Sequence, residues 1–363
     1  MLKPPRTRWI TRHSVPRSSG AALRASSGIL RLALAGVLLG FCVVVLGAYV
    51  RLSAAGLGCP DWPGCYGHAT VVGAEQSADA QAAYPNRPLE AGKAWREMTH
   101  RYAAGTLVLI ILAIAGFAIA TREARIVPTG YALALFGIVV LQAILGMLTV
   151  TLLLKPLIVT LHLLFGMTTL GLMWWLFLSL PRRRWGAVHS GGATSGSARA
   201  LAIFALCVLG IQIALGGWTS SNYAAVACPD FPKCQNAWWP HGDFRDAFVL
   251  WRGLAINFEG GVLDNPARVA IHLTHRMGAL VTALVLITAA LATLLRTTQP
   301  ATRAAAVAVL AALVLQLSIG VAMVLKGFPL WLATAHNAGA ALLLLATLAL
   351  AWTWSRSAKS VPF

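Results

Sequence analysis

Four histidines carry the chemistry this chain is equipped to do. His100 and His162 in the first half recur as His275 and His336 in the second, at offsets of 175 and 174 residues, and the local text repeats with them, EMTHRYAAGTLVL against HLTHRMGALVTALVL. Each stands near the start of a long apolar run. A metal-competent imidazole at hydrocarbon depth is costly to bury and by default marks function, so two matched pairs predict two matched sites. One position breaks the symmetry. Three residues before His100 stands Glu97, whereas the same place before His275 holds His272. Residues three apart share a helix face, so a carboxylate accompanies one site and not the other. Glu97 could act as a general base or stabilise developing positive charge beside a bound substrate; the plainer reading is first-turn stabilisation by the helix dipole. His272 either supports its neighbouring histidine or sits at the membrane interface.

The elements that position these residues are membrane spans. A chain of 363 residues that is 58% hydrophobic and only 11% charged does not belong to the soluble class. Eight apolar runs are each about 20 residues long, as a roughly 30 Å hydrocarbon core requires: 29–50, 98–120, 129–152, 157–180, 200–220, 269–295, 303–325 and 329–354. The net charge of +18 would suggest nucleic acid for a soluble protein, but its distribution excludes that partner. With the N-terminus in the cytoplasm, seventeen of the 29 Lys and Arg residues, including Arg31, Arg122, Arg183 and Arg303, lie inside against the single acid Glu123; twelve basic and ten acidic residues remain outside. The positive-inside rule therefore predicts an even number of spans with both termini cytoplasmic, in a bacterial inner membrane. The first 30 residues are rich in Arg and Ser and free of acids, which also matches an organellar transit peptide, so the mitochondrial inner membrane is the alternative.

The duplication sets the organisation. Cys59 and Cys228, like Cys65 and Cys234, are 169 residues apart, and Gln142 and Gln316 are 174 apart. The expected arrangement is a basic cytoplasmic segment 1–28, a four-helix unit 29–180, a Gly-, Ser- and Arg-rich linker 181–199, a second four-helix unit 200–354 and a tail 355–363. Because each unit has an even number of spans, the two share one orientation and are related by an axis along the membrane normal. The predicted fold class is an all-α integral membrane protein, eight transmembrane helices in two tandem four-helix bundles with pseudo-two-fold symmetry.

On this topology the helices bearing the four histidines all start at the outer face, and the imidazoles lie within about 10 Å of it at 1.5 Å per residue. Two imidazoles facing each other inside a four-helix unit is the arrangement for bis-histidine ligation of haem iron; the plainer reading is hydrogen bonding to a neighbouring helix. Zinc is disfavoured, because no third ligand recurs in both halves. Arg101 and Arg276 follow their histidines directly, placed either to pair with haem propionates or to snorkel to water. Four of six cysteines lie in the outer-loop sequences CPDWPGC and CPDFPKC, which predict disulfides Cys59–Cys65 and Cys228–Cys234 in an oxidising compartment, structural or open to exchange. Cys42 and Cys207 fall within apolar runs and are expected to pack as small hydrophobes. The segment Gln-x-x-(Leu/Ile)-Gly at Gln142, Gln212 and Gln316 suits interhelical hydrogen bonding and close packing.

Glu97-x-x-His100-Arg101, His162, the CPDWPGC loop, His275-Arg276 and His336, in this order on eight spans, resemble the haem A synthase family over roughly residues 30–354. The resemblance implies an oxidoreductase that converts the ring-D methyl of haem O to a formyl group by successive hydroxylations, for delivery to haem-copper terminal oxidases. It also implies substrate haem O at His100 and His162 with Glu97 catalytic, and a permanent haem b on His275 and His336. Membrane lipid, a haem O synthase, terminal oxidase assembly factors and an electron acceptor are the implied partners. A cysteine pair in each half departs from the many relatives with one pair or none, and the second pair is expected to be structural. Two other classes compete. A di-haem membrane cytochrome b exchanging electrons with quinone would stack its haems near opposite faces, whereas these histidines share one face. A transporter would need polar residues at the membrane midplane, and apart from the glutamines these helices offer few.

Overall fold

A computed structural model describes residues 20–124, 126–180 and 196–357. The expected N-terminal basic segment up to residue 19, most of the linker (181–195) and the tail from 358 lie outside the described residues. The eleven α-helices among them are α1 Gly20–Leu52, α2 Val71–Gln76, α3 Ala78–Ala82, α4 Ala91–Ala120, α5 Thr129–Thr151, α6 Pro156–Ser179, α7 Gly196–Ser221, α8 Phe244–Ala247, α9 Asn265–Arg296, α10 Pro300–Leu325 and α11 Leu330–Ser357. Eight of them, all but α2, α3 and α8, are long and apolar enough to cross a membrane. The chain is thus an all-α integral membrane protein, as a solvent without hydrogen-bonding partners for open backbone demands. Prolines begin α6, α9 and α10, where their missing N–H would be unpaired in any case.

Several long helices start earlier than hydropathy predicts, among them both that carry the first histidine of a pair. α4 begins at Ala91 rather than near 98 and α9 at Asn265 rather than near 269. The extra turns hold polar residues, in α4 Lys93, Arg96 and Glu97, which project toward the loops and which an apolar run cannot reveal. His100 is consequently the tenth residue of its helix and His275 the eleventh, while His162 and His336 are each the seventh of theirs.

Helix α1 packs on α4 and α6, and α5 packs on the same two; α7 packs on α9 and α11, and α10 on the same two. Each group of four closes a ring. The rings meet along α1, α6, α7 and α11, and the seam is tied by polar bonds at both ends. Trp174 Nε1 donates to the Leu345 carbonyl (3.0 Å) and Trp352 Nε1 to Ser179 Oγ (3.1 Å). At the loop-bearing end Thr160 and Ser221 hydroxyls pair at 3.3 Å, and the Phe258 amide donates to the Leu153 carbonyl (3.0 Å). Cys42 and Cys207 are exposed on their helices, which corrects the expectation that they pack inside; an apolar run is apolar on its lipid side as well, so composition does not tell the two sides apart.

Lys155, in the tight turn between α5 and α6, is the least expected seam residue. It is 2% exposed, donates from Nζ to the Gly253 carbonyl and lies 3.6 Å from the Trp251 ring centroid. Carbonyl and aromatic face together replace the water that a buried ammonium loses. Lys155→Met keeps the apolar stem and removes the charge, so it should destabilise the protein by about 1.5–3 kcal/mol and raise amide hydrogen exchange in 249–258; an unchanged exchange pattern there would show that the clamp is idle.

Candidate functional site

All four imidazoles border one cavity of about 1590 Å³ lined from both halves of the chain, with Glu97, Arg101 and Arg276 on the same wall. Pockets for a single drug-sized ligand are about 300–1,000 Å³, so this space is large enough for more than one. Each histidine ring is seated against a glycine of the preceding long helix. A Cβ at Gly47 would stand 3.0 Å from the His100 ring, at Gly146 3.2 Å from His162, at Gly216 3.2 Å from His275 and at Gly320 3.0 Å from His336. Four residues before each glycine comes a residue that meets the same histidine. The backbone carbonyls of Val43, Gln142 and Gln316 lie beside the rings of His100, His162 and His336. Gln212 Nε2 lies 3.0 Å from His275 Nδ1 and also donates to the His275 carbonyl (3.0 Å). Gln142 Nε2 donates to the His162 carbonyl (2.8 Å), and Gln316 Nε2 lies 3.3 Å from His336 Nε2. Val43 stands where the other three have glutamine, so His100 alone has no such amide.

The two cysteine-bearing loops fold alike and are stapled alike. Cys59 is bonded to Cys65 and Cys228 to Cys234, and the peptides before Pro63 and Pro232 are both cis. The Asp61 carboxylate accepts from the Tyr66 and Gly67 amides (2.6 and 2.7 Å), and that of Asp230 from the Gln235 and Asn236 amides (2.6 and 2.9 Å). Burial opposes the charged form of Asp230, but those amides outweigh it and hold its carboxyl below the usual carboxylate range. The clamp it forms is therefore complete above the ordinary carboxylate pKa and is lost only as pH falls through the lowered one.

Arg101 Nη1 donates to the carbonyls of Asp61 (2.9 Å), Pro63 (3.3 Å) and Gly64, while its Nη2 meets Glu97 Oε1 at 2.5 Å. Glu97 is 5% exposed, and its other oxygen accepts from the Cys59 amide at 2.8 Å. That contact needs the loop backbone pressed onto α4, which Gly58 permits, since a Cβ there would lie 2.6 Å from the Lys93 backbone. In the second half Arg276 donates to the carbonyls of Cys228 (3.1 Å), Asp230 (2.8 Å) and Lys233 (2.8 Å), and through Nε to His272 Nε2 (3.1 Å). Both arginines thus hold a loop to the helix that bears the histidine, a role sequence reasoning did not weigh. Among the described residues no group of three or more His, Cys, Asp or Glu gathers as a metal ion would require.

Residues 30–348 match the COX15-CtaA family, described as cytochrome oxidase assembly protein. The chain belongs to that family. Among its relatives, the Heme A synthase of Shewanella oneidensis is 40% identical over 92% of this chain and 98% of its own length. That of Rhizorhabdus wittichii is 28% identical over 85% and 88%, and that of Paracoccus denitrificans 31% identical over 49% and 44%.

In this COX15-CtaA member the sequence pointed to three of the four ring-seating glycines through the Gln-x-x-x-Gly spacing and missed Gly47, whose helix carries Val43 instead. The staples make a separable prediction. Arg101→Ala should raise hydrogen exchange in 59–68 and leave 228–237 protected, and Arg276→Ala should do the reverse; loosening of both loops by either change would mean that the arginines support the bundle and not their own loops.

Proposed function

We propose that this chain is a haem A synthase, oxidising the ring-D methyl of haem O to a formyl group by successive hydroxylations, with the two helix rings related by a pseudo-two-fold axis along the membrane normal. The observation that carries the reading is a single carboxylate, Glu97, on the lining of a cavity shared by two duplicated imidazole pairs. Membership of the family and the near full-length match to a Heme A synthase support the reaction.

The residues present fit haem. Each imidazole is backed by a glycine, so the ring packs against the neighbouring helix with no Cβ between them, and Nδ1 of His100, His162 and His336 is buried without a hydrogen-bond partner, leaving polar ring edges for which a ligand would be the partner. On this reading His275 and His336 hold a resident haem b, and His100 and His162 receive substrate haem O. Bound there, haem b supplies a one-electron redox centre next to the substrate. Glu97, one turn before His100, takes up protons released as the methyl is oxidised. Arg101 and the Cys59 amide hold the carboxylate in place beforehand, so it does not reorganise during the reaction. His272 in the second half leaves that pair without a carboxylate and suited to electron transfer. The missing amide at Val43 suits a ligand that must give up its haem after each conversion. The distribution of basic residues supports both termini in the cytoplasm of a bacterial cell and the stapled loops outside, and the reading implies a haem O synthase upstream, terminal oxidase assembly factors downstream and membrane lipid around the rings.

The deciding experiment is extraction and chromatography of the haems that copurify from cells making haem O. Haem b with haem O or haem A supports two unequal sites; haem b alone at two per chain favours the electron-transfer cytochrome, and no haem removes the ligand assignment. Glu97→Gln should keep both haems and lower formyl product by at least about 100-fold; equal product would take Glu97 out of the reaction. His275→Ala should lose the haem b, whereas Val43→Gln should raise the haem O retained through purification.

A further inference from the structure

Arg101 and Arg276 spend their guanidinium donors on loop carbonyls, yet a third arginine on the cavity wall does not. Arg51, in the last turn of α1, donates from Nη2 to the carbonyls of Ser220 (3.0 Å) and Ser221 (3.3 Å), and its guanidinium carbon stands 4.2 Å from the ring centroid of Tyr223. Its Nε is buried without a hydrogen-bond partner, and so is the hydroxyl of Tyr223. Both residues border the cavity. Among the described residues the ion pairs are Lys93–Glu90, Arg101–Glu97 and Arg252–Asp246, so no carboxylate balances Arg51. A half-buried guanidinium without a counter-charge is costly, and an orphaned N–H and an orphaned O–H on two residues that stack on each other and line one cavity are two donors for the two acceptor oxygens of a carboxylate.

The place of this pair selects the carboxylate. Arg51 is four residues past Gly47, hence one helical turn from the glycine on which the His100 ring sits. The 169-residue offset that relates the cysteine loops carries Arg51 onto Ser220, so the second half has no equivalent cation. Tyr223 comes from the second half, which makes the pair complete only where the two rings of helices meet.

We infer that Arg51 and Tyr223 form a carboxylate-binding subsite that takes a propionate of the substrate haem held at His100 and His162. The inference rests on the proposed function for the identity of that substrate. The propionate accepts from Arg51 Nε and the Tyr223 hydroxyl, fixing the rotation of the haem in its plane and hence which ring edge faces Glu97. Arg51 and Tyr223 are binding residues in this scheme and neither donates nor accepts a proton in the oxidation.

The test is an optical titration of the full-length purified chain, carrying its resident haem, with haem O and with haem O dimethyl ester, in which both propionates are capped. The wild type should bind the free acid at least about tenfold more tightly than the ester, the effect of one charge-assisted hydrogen bond. Arg51→Gln should lower the acid to the affinity of the ester and leave the ester unchanged. Tyr223→Phe, which removes one oxygen and keeps the ring, should lose part of the discrimination and serves if Arg51→Gln does not fold. Equal binding of acid and ester by the wild type, or discrimination that survives both substitutions, overturns the subsite while leaving the substrate site intact. Failure of the wild type to bind added haem O in either form overturns the substrate-site reading, and the subsite with it.

Discussion

An imidazole can lie flat against a neighbouring helix in an apolar bundle only where that helix has no side chain. The four glycines at 47, 146, 216 and 320 meet that constraint, and much of the site follows from it. They fix which helices must be adjacent, because each glycine lies on the long helix preceding its histidine, so the hairpins α1–α4, α5–α6, α7–α9 and α10–α11 become the units that deliver a ring to the cavity. The residue four before two of these glycines also reaches a ring, Gln212 Nε2 that of His275 and Gln316 Nε2 that of His336, while Gln142 Nε2 bonds the His162 backbone carbonyl. Nδ1 of His100, His162 and His336 stays buried without a hydrogen-bond partner, a cost that marks these rings as built for something other than packing.

The loops answer a different requirement. A buried carboxylate must have its charge met by the protein, and Glu97 is held by a cation from its own helix and an amide from the disulfide loop. The second half keeps the arginine, the loop and the disulfide but replaces the carboxylate with His272. Duplication thus preserved the scaffold of both sites while a few side chains diverged, Glu97 against His272, Val43 against Gln212 and Arg51 against Ser220.

Much of this was legible in the residues. The eight spans, the duplication, the paired histidines and the odd carboxylate at Glu97 could all be read from hydropathy and spacing, because each is a local or periodic property. The polar first turns of α4 and α9 were not, since apolarity marks the buried part of a helix and not its beginning. Nor were the partners of Arg51 and Lys155, which lie 169 and 98 residues away; such contacts depend on how the two halves dock. The loop aspartates Asp61 and Asp230 were in plain view in the CPDWP and CPDFP text, but their purpose emerges only when the amides five and six residues later turn back onto them.

The seam divides each histidine pair. His162 and His336 ride on α6 and α11, which touch each other, whereas His100 and His275 ride on α4 and α9 at the two flanks. One member of each pair therefore belongs to a common partition. Its thickness is set partly by Gly171, where a Cβ would come within 2.9 Å of Leu348. A position remote from all four histidines thus sets how closely α6 and α11 approach, and with them the imidazoles of the two halves.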